Sequence, residues 1–471
     1  MAVSGTASAG PELLVELRRT RGAGPLRVQL EAALRAAIAD GRLAAGARLP
    51  PSRTLATDLG VSRRLVVEAY AQLTAEHWLE ARSGSGTFVA ARVAEAAASA
   101  PPPTLPPRAP RFDFFPGHPA LAAFPRAVWS RALREVLREA PDAALGYGEP
   151  CGETALRAEL AAYLRRTRGA AAEPGRIVVV PGALGGLGLL ASVLVARGRR
   201  RIAVEDPGLD AMRLVLARAG ADVVPVPVDG DGLDVDALAA ARADAVLVTP
   251  GHQFPTGVSL SPIRRGELLA WARATGGLVI EDDYNAELRY DRPAVGALHG
   301  LAPDDVAYLG SVSKALAPAL RIGWLVLPPA LVGPLAQARM LAGAAPGALE
   351  QLALARLLAR GDVDRQLRVA RRRYRAQRTA LAAALAAHLP GAEMGGQPGG
   401  VHAPVRVPFG FDAARLAQEA AVRGVSAFPL SWFLAWSPPR TDTLVLGYGQ
   451  VPAPSLPEAI RRLAEALHAA C

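Results

Sequence analysis

Residues 308–328 read YLGSVSKALAPALRIGWLVLP, and Lys314 within them is the sole lysine of a 471-residue chain whose other 52 basic residues are arginine. A composition so biased writes arginine wherever a positive charge will do, so a surviving lysine invites a chemical explanation. A lysine amine can lose its proton and condense with an aldehyde to a Schiff base, whereas a guanidinium does neither. Chance survival is the plain alternative, and the surroundings of Lys314 decide between the two.

Those surroundings suit a phosphorylated aldehyde. Lys314 follows the strand-like run Ala307–Leu309, with hydroxyls at Ser311 and Ser313 and the fork of Arg321 seven residues on, all able to serve a phosphate. Gly182-Ala183-Leu184 opens a helix after the strand-like run Ile177–Val180 and offers backbone N–H groups and a helix dipole to the same dianion. Glu281-Asp282-Asp283-Tyr284 follows the apolar run Leu278–Ile280, which puts acids at a strand's carboxyl end, where sites form on open α/β sheets. Pyridoxal 5'-phosphate (PLP) needs an amine, phosphate donors and a carboxylate at its pyridine nitrogen. Asp282 is assigned to that nitrogen and Tyr284 to the ring hydroxyl. Acids after a strand can also be helix caps, and Ser-Lys alone is a weak motif; the combination carries the argument.

Working outward, apolar runs at 177–180, 202–204, 223–226, 245–248, 278–280 and 307–309 alternate with Ala/Leu/Arg helices. That pattern predicts an α/β fold with a mostly parallel sheet, helices on both faces. Half the chain is apolar (51%), enough for sizeable cores, and the net charge is +10. Cys151 and Cys471 form no CxxC pair, which suits a reducing cytosol, and the seven histidines show no metal-ligand spacing. The start of the chain lacks the pattern of a signal peptide, so a cytoplasmic location is expected. Residues 177–196 carry no charge and approach the length of a membrane span, but Pro181-Gly182 interrupts them. A buried strand, a turn and a buried helix are expected instead. Gly186-Leu187-Gly188-Leu189-Leu190-Ala191 matches the dinucleotide fingerprint GxGxxA, yet its first glycine comes well after the strand, where a pyrophosphate could not meet the helix end.

The first 110 residues read differently. The first ten are expected to be loose. A helix is predicted over 26–40, with Leu30, Leu34 and Ile38 on one face and Gly41 ending it. Pro50-Pro51-Ser52 is expected to cap a short helix through Leu59, Gly60 to turn the chain, and Ser62 to cap a second helix to about Glu76. Two short helices joined by a glycine turn suit a helix-turn-helix, with Arg63 and Arg64 at the front of the second helix, in reach of bases or phosphates. Residues 79–82 and 87–89, around Ser83-Gly84-Ser85-Gly86, predict a hairpin wing. An accessory helical domain with a solvated arginine face is the alternative. The Ala/Pro-rich residues 92–110 read as a linker, dividing the chain into 11–91, 92–110 and 111–471.

The run LRVQLEAALRAAIADGRLAAGARLPPSRTLATDLGVSRRLVVEAYAQL, with GSGTFV after it, resembles the GntR-type winged helix. The resemblance implies Arg53, Ser62, Arg63, Arg64 and the tip Gly84, Ser85, Gly86 and Thr87 at an operator DNA. His77 departs from it, standing where glycine usually ends the recognition helix. Farther on, LGYGEPCGETALRAELAAYL, EDPG, TPGHQFPTG, EDDYNAELRY and YLGSVSKALAPALRIGWLVLP occur in the order of fold-type I aminotransferases. Together the two parts resemble MocR/PdxR/GabR-type regulators. That resemblance implies Lys314 as the cofactor's covalent partner, a smaller C-terminal subdomain, a homodimer with Tyr147 reaching the neighbouring subunit's phosphate site, and sensing of PLP, an amine or an amino acid.

Four departures bear on turnover. Leu209 stands where an aromatic ring usually covers the cofactor, Phe254 replaces the asparagine of true aminotransferases, and Leu184 replaces a glutamine. No C-terminal arginine is placed for a substrate carboxylate; Arg440 is the nearest candidate. These weigh against a working aminotransferase that carries a DNA-binding arm, the competing reading. A regulator would complete at most half a transamination and change its DNA affinity.

Overall fold

The computed structural model describes Leu17 and residues 24–40, 42–82, 84–90, 110–290, 295–408, 411–435 and 441–470. The chain divides into two units, Met1–Arg108 and Ala109–Cys471. Gly41, Ser83, Arg440 and residues 92–109 of the expected linker lie outside the described residues.

In the first unit α1 (Leu26–Ala39) buries the predicted stripe Leu30, Leu34 and Ile38 against Leu55, Val66 and Leu73. Helices α2 (Ser52–Asp58) and α3 (Arg63–Ala75) flank a turn in which Gly60 takes φ +60°. Ser62 caps α3 as expected, its Oγ accepting from the Leu65 amide at 3.3 Å. The cap of α2 falls inside the expected Pro50-Pro51-Ser52 run: Pro51 holds the cap position, Ser52 is the first helical residue, and no side chain bonds there. The Pro50-Pro51 pair already fixes the entry angle, which leaves a serine oxygen little to add. His77 adopts the left-handed conformation, φ +60°, just past the end of α3, the backbone a glycine would supply more cheaply. Strands β1 (Leu79–Arg82) and β2 (Gly86–Val89) pair antiparallel, Leu79 opposite Val89 and Arg82 opposite Gly86, so the second strand begins one residue earlier than expected.

The second unit holds an eight-stranded sheet. In chain order its strands are β3 (Ile177–Val180), β4 (Arg201–Asp206), β5 (Asp222–Asp229), β6 (Gly232–Leu233), β7 (Ala245–Val248), β8 (Leu278–Asp282), β9 (Val306–Ser311) and β10 (Gly323–Val326). They lie in the order β3-β10-β9-β8-β7-β4-β5-β6. Pairings from β9 through β8, β7 and β4 to β5 are parallel, while β10 runs antiparallel to both β3 and β9. Strands β3, β7 and β8 are buried at every position and β4 and β9 at all but their ends, as apolar runs require when helices cover both faces. A four-stranded sheet built from residues 393–447 forms the smaller subdomain.

Ile177–Ala196 comprises β3 and the helix α4 (Gly182–Ala196), and no helix among the described residues is long and apolar enough to cross a membrane. Gly186 lies inside α4 rather than at its start, which removes the dinucleotide reading.

Candidate functional site

The carboxyl ends of the parallel strands converge on one cavity of about 330 Å³. Asp282, Tyr284, Lys314 and Leu184, each singled out in the sequence, line it. So do residues the sequence reading did not select: Phe115, Gly117 and His118, Glu205 at the end of β4, Met212 and Arg213 on the helix α5 (Asp210–Arg218), and Thr249 after β7.

Strand alternation sorts the acidic run of β8. Glu281 turns to one face and accepts the amides of Leu298 and His299 at 2.9 and 3.0 Å. Asp283 forms a buried pair with Arg168, at 2.6 Å to Nε, and accepts the Tyr308 hydroxyl at 2.7 Å. Asp282 alone faces the cavity, and its Oδ1 is buried with no hydrogen-bond partner. The Tyr284 hydroxyl is likewise buried and unpartnered. Burial, then the neighbouring Asp283, push the Asp282 carboxyl up to about 7, against a pull downward from Lys314. Burial also lowers the Lys314 ammonium from its ordinary value, opposed by Asp282, which favours the neutral, nucleophilic amine. Glu205 is pushed up to about 7 by burial although it accepts from the Thr249 hydroxyl and the Gln253 amide.

On the far side of Lys314 the backbone makes room. A Cβ on Gly117, which holds φ +104°, would sit 3.4 Å from Lys314 Nζ. At the start of α4 a Cβ on Gly182 would lie 3.7 Å from the Arg321 guanidinium, so that fork stands beside the first N–H groups of the helix. Arg321 reaches it from a left-handed backbone, φ +53°, costly for any residue with a Cβ and sustained at functional positions. Gly323 permits the approach: a Cβ there would fall 2.9 Å from the Gly182 carbonyl carbon.

Not every expected residue joins the cavity wall. Ser311 ends β9 with its Oγ accepting the Ser313 amide at 3.4 Å, and Ser311, Ser313, Ala183 and Arg321 lie beside the cavity rather than lining it. Tyr147 is fully exposed. The departures Leu209 and Phe254 both line the cavity, and Phe254 packs edge-on against Phe433, ring centroids 5.1 Å apart. In the first unit Arg53, Ser62, Arg63, Arg64, Gly84, Ser85 and Gly86 are exposed and Thr87 is half-buried. Arg64 pairs with Glu68 at 2.8 Å, and Arg48, which the sequence reading passed over, packs its guanidinium against Gly86.

The residues present fit PLP. An unpartnered buried carboxylate and phenol, the sole lysine and a helix N-terminus with an adjoining arginine are the groups its ring nitrogen, ring hydroxyl, aldehyde and phosphate require.

Comparison with known proteins agrees. Residues 26–89 match the family described as bacterial regulatory proteins, gntR family, and residues 120–433 match aminotransferase class I and II. The chain is 35% identical to the HTH-type pyridoxine biosynthesis transcriptional regulator PdxR of Corynebacterium glutamicum, over 89% of this chain and 91% of the relative. It is 34% identical to the probable rhizopine catabolism regulatory protein MocR of Rhizobium meliloti, over 94% of each. Among solved structures, an archaeal alanine:glyoxylate aminotransferase superposes with a TM-score of 0.71 at 28% identity, covering 76% of this chain and 91% of that one. The α-aminoadipate aminotransferase LysN of Thermus thermophilus, complexed with N-(5'-phosphopyridoxyl)-L-leucine, superposes with a TM-score of 0.68 at 28% identity, over 76% and 92%. The chain therefore belongs to the PdxR/MocR-type transcription regulators, in which a DNA-binding gntR-family winged helix is joined to a PLP-dependent aminotransferase class I and II fold.

Proposed function

We propose that this regulator senses PLP, or an amine or amino acid that reacts with it, in the cavity around Lys314 and passes the state of that cavity to its DNA-binding unit. One observation carries the reading: Asp282 and Tyr284 present unpartnered buried polar atoms to the cavity that holds the only lysine. Leaving such groups unsatisfied costs stability, about 1–3 kcal/mol each, and a ligand that satisfies them recovers it. PLP supplies an aldehyde that condenses with amines and a ring that withdraws electrons.

In this reading Lys314 offers the amine, Asp282 holds a proton at the pyridine nitrogen, and Tyr284 donates to the ring oxygen. Arg321, Ser311, Ser313 and the amides of Ala183 and Leu184 hold the phosphate. The full exposure of Tyr147 suits a side chain that completes the partner's site in a homodimer. Arg53, Ser62, Arg63, Arg64 and the wing tip Gly84–Thr87 engage the operator, with functional divisions at 11–91, 92–110 and 111–471. The protein then works in the cytoplasm. Ligand binding alters operator affinity only so far as the ligand prefers one of two conformations.

The test is an absorbance titration of PLP-loaded protein with amino acids and amines, read beside operator binding. A change in operator affinity that follows occupancy supports the sensor. Multiple turnover with an amino donor and a keto acid, without any effect on DNA, would move the reading to an aminotransferase carrying a DNA-binding arm.

A further inference from the structure

Arg213 is a cation in the cavity wall that the assignments above leave without a task. It sits in the first turn of α5, four residues after the cap residue Leu209, and both line the cavity. Its side chain is 13% exposed, yet it is loosely held. Nε and Nη2 reach Asp210 Oδ1 at 3.4 and 3.3 Å, and Nη1 approaches Asp206 at 3.9 Å. Charge-assisted bonds of this type normally measure about 2.7–2.9 Å. The Arg168–Asp283 pair in the same unit, at 2.6 Å, shows what a committed arginine looks like here.

The remaining contacts are neutral: Nη1 donates to the Phe433 carbonyl at 3.0 Å and the Gly208 carbonyl at 3.4 Å. The Phe433 carbonyl also accepts the Gly208 amide at 2.8 Å, so it stays satisfied if Arg213 turns away. Of the two other carboxylates in the cavity wall, Glu205 is already engaged by Thr249 and Gln253, and Asp282 is the one the sensor reading gives to the pyridine nitrogen. Around Arg213 the wall is apolar, formed by Phe115, Leu184, Leu209, Met212 and Phe254.

We propose that Arg213 recognises the carboxylate of an amino-acid effector with an apolar side chain, and so makes the cavity select amino acids over the corresponding amines. This rests on the sensor reading above and adds the class of ligand. A guanidinium freed from two carbonyls and two long carboxylate contacts gains a close, bidentate partner in a site sheltered from water. The apolar wall takes the side chain, and the amino group is left to face Lys314.

The test uses full-length PLP-loaded protein, titrated with L-leucine against isoamylamine and with L-phenylalanine against phenethylamine. Absorbance and calorimetric heat are both recorded. Wild type should bind at least one amino acid on the order of tenfold to a hundredfold more tightly than its amine, the range expected of a buried charge-assisted contact. Arg213→Gln should bring the two affinities together, and Arg213→Lys should restore part of the gap. The cofactor band and melting temperature report whether each variant folds; if the glutamine variant does not, the ratio in the lysine variant decides, since a point charge cannot replace the fork in full. A wild type indifferent to the carboxylate, or an undiminished preference in either variant, overturns the assignment while sensing of amines stands. If neither amines nor amino acids bind but added PLP alone alters operator affinity, the assignment fails and PLP is itself the signal. No response of operator binding to any of them sinks the sensor reading as well.

Discussion

In the winged helix the arginines proposed to meet the operator stand in water: Arg53, Arg63 and Arg64 are exposed, with 89% of the Arg64 side chain open to solvent. In the cavity the charged groups are buried, and Asp282, Glu205 and Lys314 all have their proton affinities moved by burial. The same kind of charge thus does two jobs. Exposed arginines contribute long-range attraction to phosphates, which salt weakens and a neighbouring carboxylate offsets. Buried groups are costly in isolation and become favourable only when a complementary ligand arrives. Mutations should accordingly have sharp, ligand-linked effects in the cavity and graded, salt-linked effects on the winged helix.

The largest effect should come from Lys314→Ala. Wild type mixed with PLP should show the visible band of the lysine-linked cofactor, which borohydride fixes to this residue. The variant should lose the band entirely while its circular dichroism is unchanged. An undiminished band would break the cavity half of the comparison outright.

The next effect is a pH dependence. Asp282 and Glu205 hold their protons up to about pH 7 in the folded, PLP-free protein, against ordinary values of 3.8 and 4.5. Between those limits the folded state binds more protons than the unfolded one, so stability should fall as pH rises. The slope should reach roughly 1.4 kcal/mol per pH unit for each group. Bound PLP should flatten the Asp282 share, because a protonated pyridine nitrogen favours the carboxylate. Asp282→Asn should remove that share and weaken PLP binding by about 1.5–3 kcal/mol, the worth of a hydrogen bond to a charged group. Denaturant midpoints across the pH range, with and without PLP, measure both; a flat profile without PLP would contradict the burial argument.

On the winged helix, Arg63→Ala should cost about 1–3 kcal/mol at the operator if the side chain meets a base. If it meets a phosphate, binding should weaken evenly over sequences and the salt slope should fall by about one ion. Arg64→Ala should cost less than Arg63→Ala, since Glu68 already offsets the Arg64 charge at 2.8 Å. Operator titrations over a salt series rank the two, and the reverse order would show that the Glu68 contact gives way on DNA.

The smallest effect is expected from Leu209→Tyr, which adds a ring to the cavity wall. Aromatic stacking contributes on the order of 1 kcal/mol beyond area burial, so PLP should bind several-fold more tightly. No gain would mean that Phe254 or another side chain already covers that ring face.

What the sequence disclosed follows the same division. Lys314 and Asp282 were legible because their residue types are scarce or costly where they stand, one the only lysine and the other an acid at the end of a buried strand. Gly117 and His118 were not legible. They reach the cavity because Phe112–Asp113 pairs in parallel with Val425–Ser426, more than 300 residues away, and no local pattern announces such a pairing. Arg213 was hidden by number, one arginine among 52. The α/β alternation, the Ser62 cap and the Pro50-Pro51-Ser52 helix start are local signals and were readable.

The isolation of Lys314 also makes the chain its own occupancy gauge. A lysine-specific protease can cut the unfolded polypeptide at one place only, between residues 314 and 315. Once borohydride has locked a cofactor onto that side chain, the protease no longer recognises it. The ratio of whole chain to its two fragments on a denaturing gel then counts the fraction of molecules that carried the cofactor, in any extract and at any moment of growth.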